Sequence, residues 1–299
     1  MVKILLGALG LLTLTFLGFF VKDYFENKNN LSKTGWAGLL GVGFITNFFD
    51  TLGIGSFAPT TAMFKFFNMV PDKLIPGTLN VGDTVPVVFE AFLFIAAVTV
   101  EPITLVTMLL ASTIGAVVGA GFVSKLPEKK IQFGMGGALL IVAFFMLAGL
   151  MGWMPIGGDA IGLTGGKLIV GIVANFILGA LMTIGVGLYA PCMALVYALG
   201  MSPRVAFPIM MGSCAFLMPA ASIRFVKEGA HDRKASMGLT LGGAVGVFVA
   251  YYIVKSLPIK MLTWLITFVV IYAGIVMIRS GIKNVEIKNH KELADETEI

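Results

Sequence analysis

The sequence predicts an all-α polytopic membrane protein built from two inverted repeats. Each repeat holds a broken-helix or re-entrant hairpin plus three transmembrane helices, and one N-terminal helix precedes them. Three observations predict this class. First, the 299 residues are 58% hydrophobic and 12% charged, with a mean hydropathy of +0.95. A soluble domain carries roughly a quarter charged residues, so lipid must be the solvent for these side chains. Second, apolar stretches recur along the whole chain, several near the ~20 residues that cross a hydrocarbon core. The ~10-residue alternation of a β-barrel is absent. Third, the chain repeats itself. A shift of 132 positions places Thr51, Gly53, Gly55, Ala58, Pro59, Ala62, Met69, Pro71 and Pro76 on Thr183, Gly185, Gly187, Ala190, Pro191, Ala194, Met201, Pro203 and Pro208, which is 9 identities in 26 pairs.

Residues 1–35 supply a first transmembrane helix and a cytoplasmic linker. The helix is read as retained, because no small-x-small cleavage site is clear before "VKDYFENK". Repeat one spans 36–152 and repeat two 167–281, joined by an external linker at 153–166 and followed by a charged cytoplasmic tail at 282–299. "KLPEKK" (125–130) answers "SLPIKM" (256–261), and Gly115 answers Gly246. If each broken segment returns to the side it entered from, three full helices remain per repeat, and an odd number inverts the second copy. Charge tests the inversion. Of 21 Lys and Arg residues, 16 fall on the side holding 22–35, 65–73, 125–130, 224–234, Arg279 and the tail, and 5 on the other. Basic residues mark cytoplasmic loops. The expected orientation in the cell membrane is N-terminus outside and C-terminus cytoplasmic.

The breaks are "DTLGIGSFAPTTAMF" (50–64) and "MTIGVGLYAPCMALV" (182–196). Gly53, Gly55, Gly185 and Gly187 permit turns that a Cβ resists. Pro59 and Pro191 suit the first position of a new helix, which predicts short helices over 59–68 and 191–200. Their first-turn amides, around Thr60 and Thr61 in the first copy, are orphaned and carry partial positive charge. Two such ends converging near the midplane attract an anion. Irregular backbone inside a bilayer is tolerated where it is buried or lines a wet cavity. Inverted repeats with interrupted helices are a transporter plan.

The two "G-[IV]-G-x-[FY]-A-P" phrases, followed by "NMVPDKLIP" and "GMSPRVAFP", resemble the TauE/SafE (TSUP) family of membrane permeases over nearly the whole chain after the first helix. Where many members carry a third glycine, this chain has Ser56 and then Phe57. The resemblance implies transport of a small sulfur-containing anion such as sulfite, thiosulfate or an organosulfonate.

The candidate substrate residues are Thr51, Ser56, Phe57, Ala58, Thr60 and Thr61 around the first break, and Tyr189, Ala190, Cys192 and Met193 around the second, together with the four glycines. Asn47, Asn80 and Ser213 offer polar contacts to an oxyanion. Cys192 stands where Thr60 stands, as a weak thiol donor or a small buried apolar group. Phe57 and Tyr189 match as walls or gates, or as packing. Asp50, Asp83 and Glu90 have no acidic counterparts, since Met182, Ala215 and Ser222 occupy those places. An intramembrane acid suggests function. One of Asp50 and Asp83 is expected to bind a coupling H+ or Na+; the alternative is that they cap a broken helix or pair with Lys65 or Arg224. Glu90 is expected to be structural or interfacial.

Small anion, bilayer and coupling ion are the expected partners, with a second copy of the chain as an option and no nucleic acid. No cofactor or metal is expected. No GxxxxGK[ST] phosphate loop occurs, so energy must come from a gradient or a partner. An anion channel, and a cation transporter using Asp50 and Asp83, are the alternatives. Enzymatic activity is not expected, because the lipid region has no histidine and no nucleophile–base pair.

Overall fold

A computed structural model describes residues 2–94, 98–155, 157–253 and 259–297. Among them the regular structure is helical, apart from an isolated bridge between Ala160 and Met201. The helices are α1 (Val2–Glu26), α2 (Trp36–Thr51), α3 (Phe57–Phe66), α4 (Ile75–Phe94), α5 (Pro102–Val123), α6 (Glu128–Leu150), α7 (Gly165–Met182), α8 (Tyr189–Ala198), α9 (Pro203–Lys227), α10 (Arg233–Ile253) and α11 (Ile259–Thr297). Seven of the described helices are long and apolar enough to cross a membrane: α1, α5, α6, α7, α9, α10 and α11. The chain is a multi-pass membrane protein. α11 continues through the charged tail as far as Thr297. Residues 256–258 of "SLPIKM", read as the partner of "KLPEKK", lie outside the described residues.

The packing has an internal two-fold pattern. Exchanging α2–α6 with α7–α11 leaves the main packed pairs unchanged. Thus α2 packs on α10 as α7 packs on α5, α4 on α10 as α9 on α5, and α3 on α11 as α8 on α6. The pairs α4–α9 and α6–α11 map onto themselves. Helices in lipid associate through small residues that allow close backbone approach. A Cβ on Gly115 would lie 2.0 Å from the Phe176 carbonyl oxygen, and one on Gly246 would lie 2.3 Å from that of Phe44. Both contacts recur at matching positions in the two halves.

Polar contacts tie the loops into two ends. At one end Arg233 Nε donates to Asp23 Oδ2 at 2.8 Å, Ser32 Oγ donates to Asp232 Oδ1 at 3.1 Å, and Lys65 pairs with Asp72 at 2.5 Å. Gln132 Nε2 also donates to Asp72, at 2.8 Å. At the other end Glu101 N–H donates to the Ile161 carbonyl, Ser202 N–H to that of Ala160, and Lys167 Nζ to that of Leu199. The 153–166 linker is therefore fastened to the starts of α5 and α9. α1 lies against α9, burying Leu9, Phe16 and Phe20.

Candidate functional site

Both breaks are built by the same backbone device. After α2, Gly53 adopts φ +87°; its N–H donates to the Asp50 carbonyl at 2.8 Å, and Ile54 N–H donates to that of Phe49 at 3.2 Å. After α7, Gly185 adopts φ +104°; its N–H donates to the Met182 carbonyl at 2.9 Å, and Val186 N–H to that of Leu181 at 3.4 Å. This paired pattern is a Schellman cap, which needs the left-handed φ that glycine reaches without steric cost. The chain then turns and restarts as α3 and α8, each of 10 residues. At about 1.5 Å per residue such a helix covers about half of a ~30 Å core.

The restarts come two residues earlier than the prolines suggest. α3 begins at Phe57 rather than Pro59, and α8 at Tyr189 rather than Pro191. The first turn has no intrahelical N–H partners at all, so proline is accommodated anywhere within it. The first helical bonds are Thr60 N–H to the Ser56 carbonyl and Cys192 N–H to that of Leu188, both 2.9 Å. The freed amides are therefore those of Phe57 and Ala58, and of Tyr189 and Ala190. Those of Thr60 and Thr61, expected from the sequence, lie inside the helix. The Thr61 hydroxyl bonds back to the Phe57 carbonyl, while the Thr60 hydroxyl is buried without a partner.

Both helix starts border one small cavity of about 30 Å³. Gly55, Ser56, Phe57 and Ala58 line it from the first break, and Gly187, Tyr189 and Ala190 from the second. Asp50 lines it from α2 and Cys214 from α9. A water needs roughly 10–15 Å³ of such space, so the cavity is of the size of about two waters.

Of the other expected residues, Gly53, Gly185, Thr60, Thr61, Cys192 and Met193 lie off the lining. Cys192 is fully buried in α8. The cavity instead receives the thiol of Cys214, which contacts Met182 Sδ at 3.7 Å. Asn80 donates to the Pro76 carbonyl in its own helix, and Ser213 accepts from Asn175. These two are held away from the cavity.

The acids form a buried polar ladder between α2 and α4. Asp50 accepts the Ser56 hydroxyl at 3.0 Å and the Ser56 backbone N–H, so its carboxylate sits over the N-terminus of α3. Asn47 donates to Asp83 at 2.9 Å instead of facing an oxyanion, because an amide beside a buried carboxylate offers the strongest bond within reach. Thr51 donates to Glu90 Oε1, and the Tyr189 hydroxyl to Glu90 Oε2, both at 2.9 Å. The Glu90–Tyr189 bond joins α4 of one half to the start of α8 in the other. Neither Lys65 nor Arg224 reaches an acid of this ladder; they pair with Asp72 and Glu228. Pro86 removes the N–H that would bond the Gly82 carbonyl, and Thr240 Oγ1 donates to that carbonyl at 2.9 Å. Glu90, expected to be structural or interfacial, links the two halves, and no signal in the sequence points to Cys214 lining the cavity. For Glu90 a signal existed: Asn80, Asp83, Val87 and Glu90 follow the 3–4–3 spacing of one helix face, and Val87 also lines the cavity.

Residues 168–296 match the model of the family described as Sulfite exporter TauE/SafE. The TauE/SafE match covers the second half, from within α7 to the end of the chain's last helix, and includes the second break. The first half lies outside the match and shares with the second the phrase around Pro59 and Pro191. No curated protein and no solved structure matches the chain. The TauE/SafE match and the seven apolar helices together mark a membrane transporter.

Proposed function

We propose that the protein is a secondary transporter for a small sulfur-containing anion, such as sulfite, thiosulfate or an organosulfonate. One observation carries the reading: the N-termini of two half-helices, one from each half, border the same small cavity. Preset partial positive charge at the two helix starts binds an anion without reorganisation. Transport is by alternating access between inverted repeats. The end holding Lys65, Lys125, Arg224 and Arg233 is cytoplasmic. Two open, mainly apolar grooves flank α6: one of about 920 Å³ toward α7 and α8, and one of about 730 Å³ beside the breaks. They leave room for the α6–α11 pair to rock against the rest. A coupling ion binds within the Asp50–Asp83–Glu90 ladder.

The test is flux into proteoliposomes of labelled sulfite, thiosulfate and a sulfonate. Protein-dependent, saturable flux of at least one is expected; none across the panel would sink the anion reading. The buried acids favour cation transport as a second reading. Asp50→Asn separates the two. It should abolish cation binding if Asp50 is a primary ligand, whereas anion binding should persist within about tenfold, roughly 1.4 kcal/mol.

A further inference from the structure

Tyr189 stands at the junction of the cavity and the acid ladder. It lines the cavity from the first position of α8, and its single hydroxyl proton is donated to Glu90 Oε2 at 2.9 Å. Glu90 is fully buried, and its other oxygen accepts Thr51 Oγ1. No ion pair to Glu90 occurs among the described residues. The other acids have partners on the first half: Asp50 has Ser56 at the start of α3, and Asp83 has Asn47. Among these three acids, Glu90 is the one bonded to a cavity group of the second half. A phenol has one proton to donate. It cannot serve both an ionised Glu90 and an oxyanion in the cavity, and two negative charges sharing one donor beside a fully buried carboxylate repel strongly.

We propose that Glu90 is a proton-binding positioning residue. Ionised, it holds the Tyr189 hydroxyl in the empty site; protonated, it releases that hydroxyl to the substrate anion. The inference rests on the anion-transport reading above. The proton comes from water on one face of the membrane, resides on a Glu90 carboxylate oxygen, and leaves to water on the other face. The phenol keeps its own proton throughout, and no other covalent bond changes. One proton then travels with each anion, in the same direction. The titratable groups facing Glu90 are Asp50 of α2, Asp83 of its own helix, Tyr189 of α8 and Cys214 of α9. α10 has none between Lys234 and Tyr251, α1 has none between Lys3 and Lys22, and Lys65 of α3 is engaged by Asp72.

The experiment measures thiosulfate binding and flux with the full chain in liposomes, because thiosulfate does not itself titrate near neutral pH. Wild-type affinity should tighten by about tenfold per unit fall in pH for one linked proton. Glu90→Gln should flatten that slope, binding at the higher pH nearly as well as at the lower. Tyr189→Phe should flatten it too, with weaker binding at the lower pH. An outward thiosulfate gradient in wild-type vesicles should carry protons out with it. No thiosulfate, sulfite or sulfonate flux in the wild type would overturn the transport reading itself. Flux with a pH-independent affinity, or an unchanged slope in Glu90→Gln, would overturn the Glu90 proposal alone. If Glu90→Gln does not reconstitute, the Tyr189→Phe slope decides: retention of the wild-type slope overturns it.

Discussion

The two breaks share a backbone and differ in chemistry. Each ends its first helix in a Schellman cap, at Gly53 or Gly185, and each starts a helix of 10 residues. Yet Asp50, Ser56 and Phe57 of the first are Met182, Leu188 and Tyr189 in the second. The first half-helix carries its own carboxylate over its positive end; the second presents that end to the cavity with no acid of its own. The duplicated part is the device that creates positive charge inside the membrane. The part that has diverged decides what meets it. Under the proposed anion transport, this comparison assigns the substrate chiefly to the start of α8, with Asp50 standing as an internal anion at α3.

The strongest way to break the asymmetry is Met182→Asp, which gives the second break the acid of the first. Met182 is buried, so the new carboxylate costs several kcal/mol. Anion binding should fall by at least about a hundredfold, near 2.7 kcal/mol; retained binding in a titration would show that the missing acid is irrelevant. Next come the cap glycines. Gly53→Val and Gly185→Val each force a β-branched residue to positive φ, at about 1–3 kcal/mol. Gly185→Val should be the worse in thermal unfolding. Its Cβ meets Met135 Cε at 3.0 Å, whereas that of Gly53 meets nothing within 4 Å. Ser56→Ala removes the hydroxyl bond to Asp50 and should cost about 1–3 kcal/mol of stability, with no counterpart effect at Leu188, which has no hydroxyl to lose.

The smallest effect concerns two further matching positions, the caps of α5 and α10. Glu101 accepts from Thr104 and Ile103 N–H, and Asp232 accepts from Ala235 N–H. The bonds from Thr104 and Ile103 hold the Glu101 carboxyl below its ordinary range. Its contribution is therefore present above the ordinary glutamate range and is lost as pH falls through the folded value. Asp232→Ala should cost about 1 kcal/mol. Glu101→Ala should cost less and should weaken the acid dependence of unfolding. An equal cost at both sites would mean that burial does not distinguish the caps.

Much of the site was legible because its causes are local. The phrase around Pro59 and its copy around Pro191 announce two helix restarts, and the cavity lies at those restarts. The two-residue error in where α3 and α8 begin has a local cause too, since a first turn accepts proline at any of its positions. The Asn47–Asp83 bond was not legible. Asn47 looked like a ligand for an oxyanion, and only the packing of α2 against α4 shows which partner is nearer. Cys214 lines the cavity and Cys192 does not for a similar reason: helix packing, not chain order, decides which cysteine borders it.

The sequence by itself determined the lipid-facing composition, the helical segments, the duplicated breaks and the residues that create them. Hydropathy, glycine φ and the missing proline N–H act within a few residues and need no fold. Only the tertiary structure decided that α2 packs on α10 and α5 on α7, because those pairings depend on whether a glycine lets one backbone reach the carbonyl of another. Only that packing brings Glu90 and Tyr189, 99 positions apart, within one hydrogen bond. Local physics placed the charges along the chain; packing selected the charges that meet.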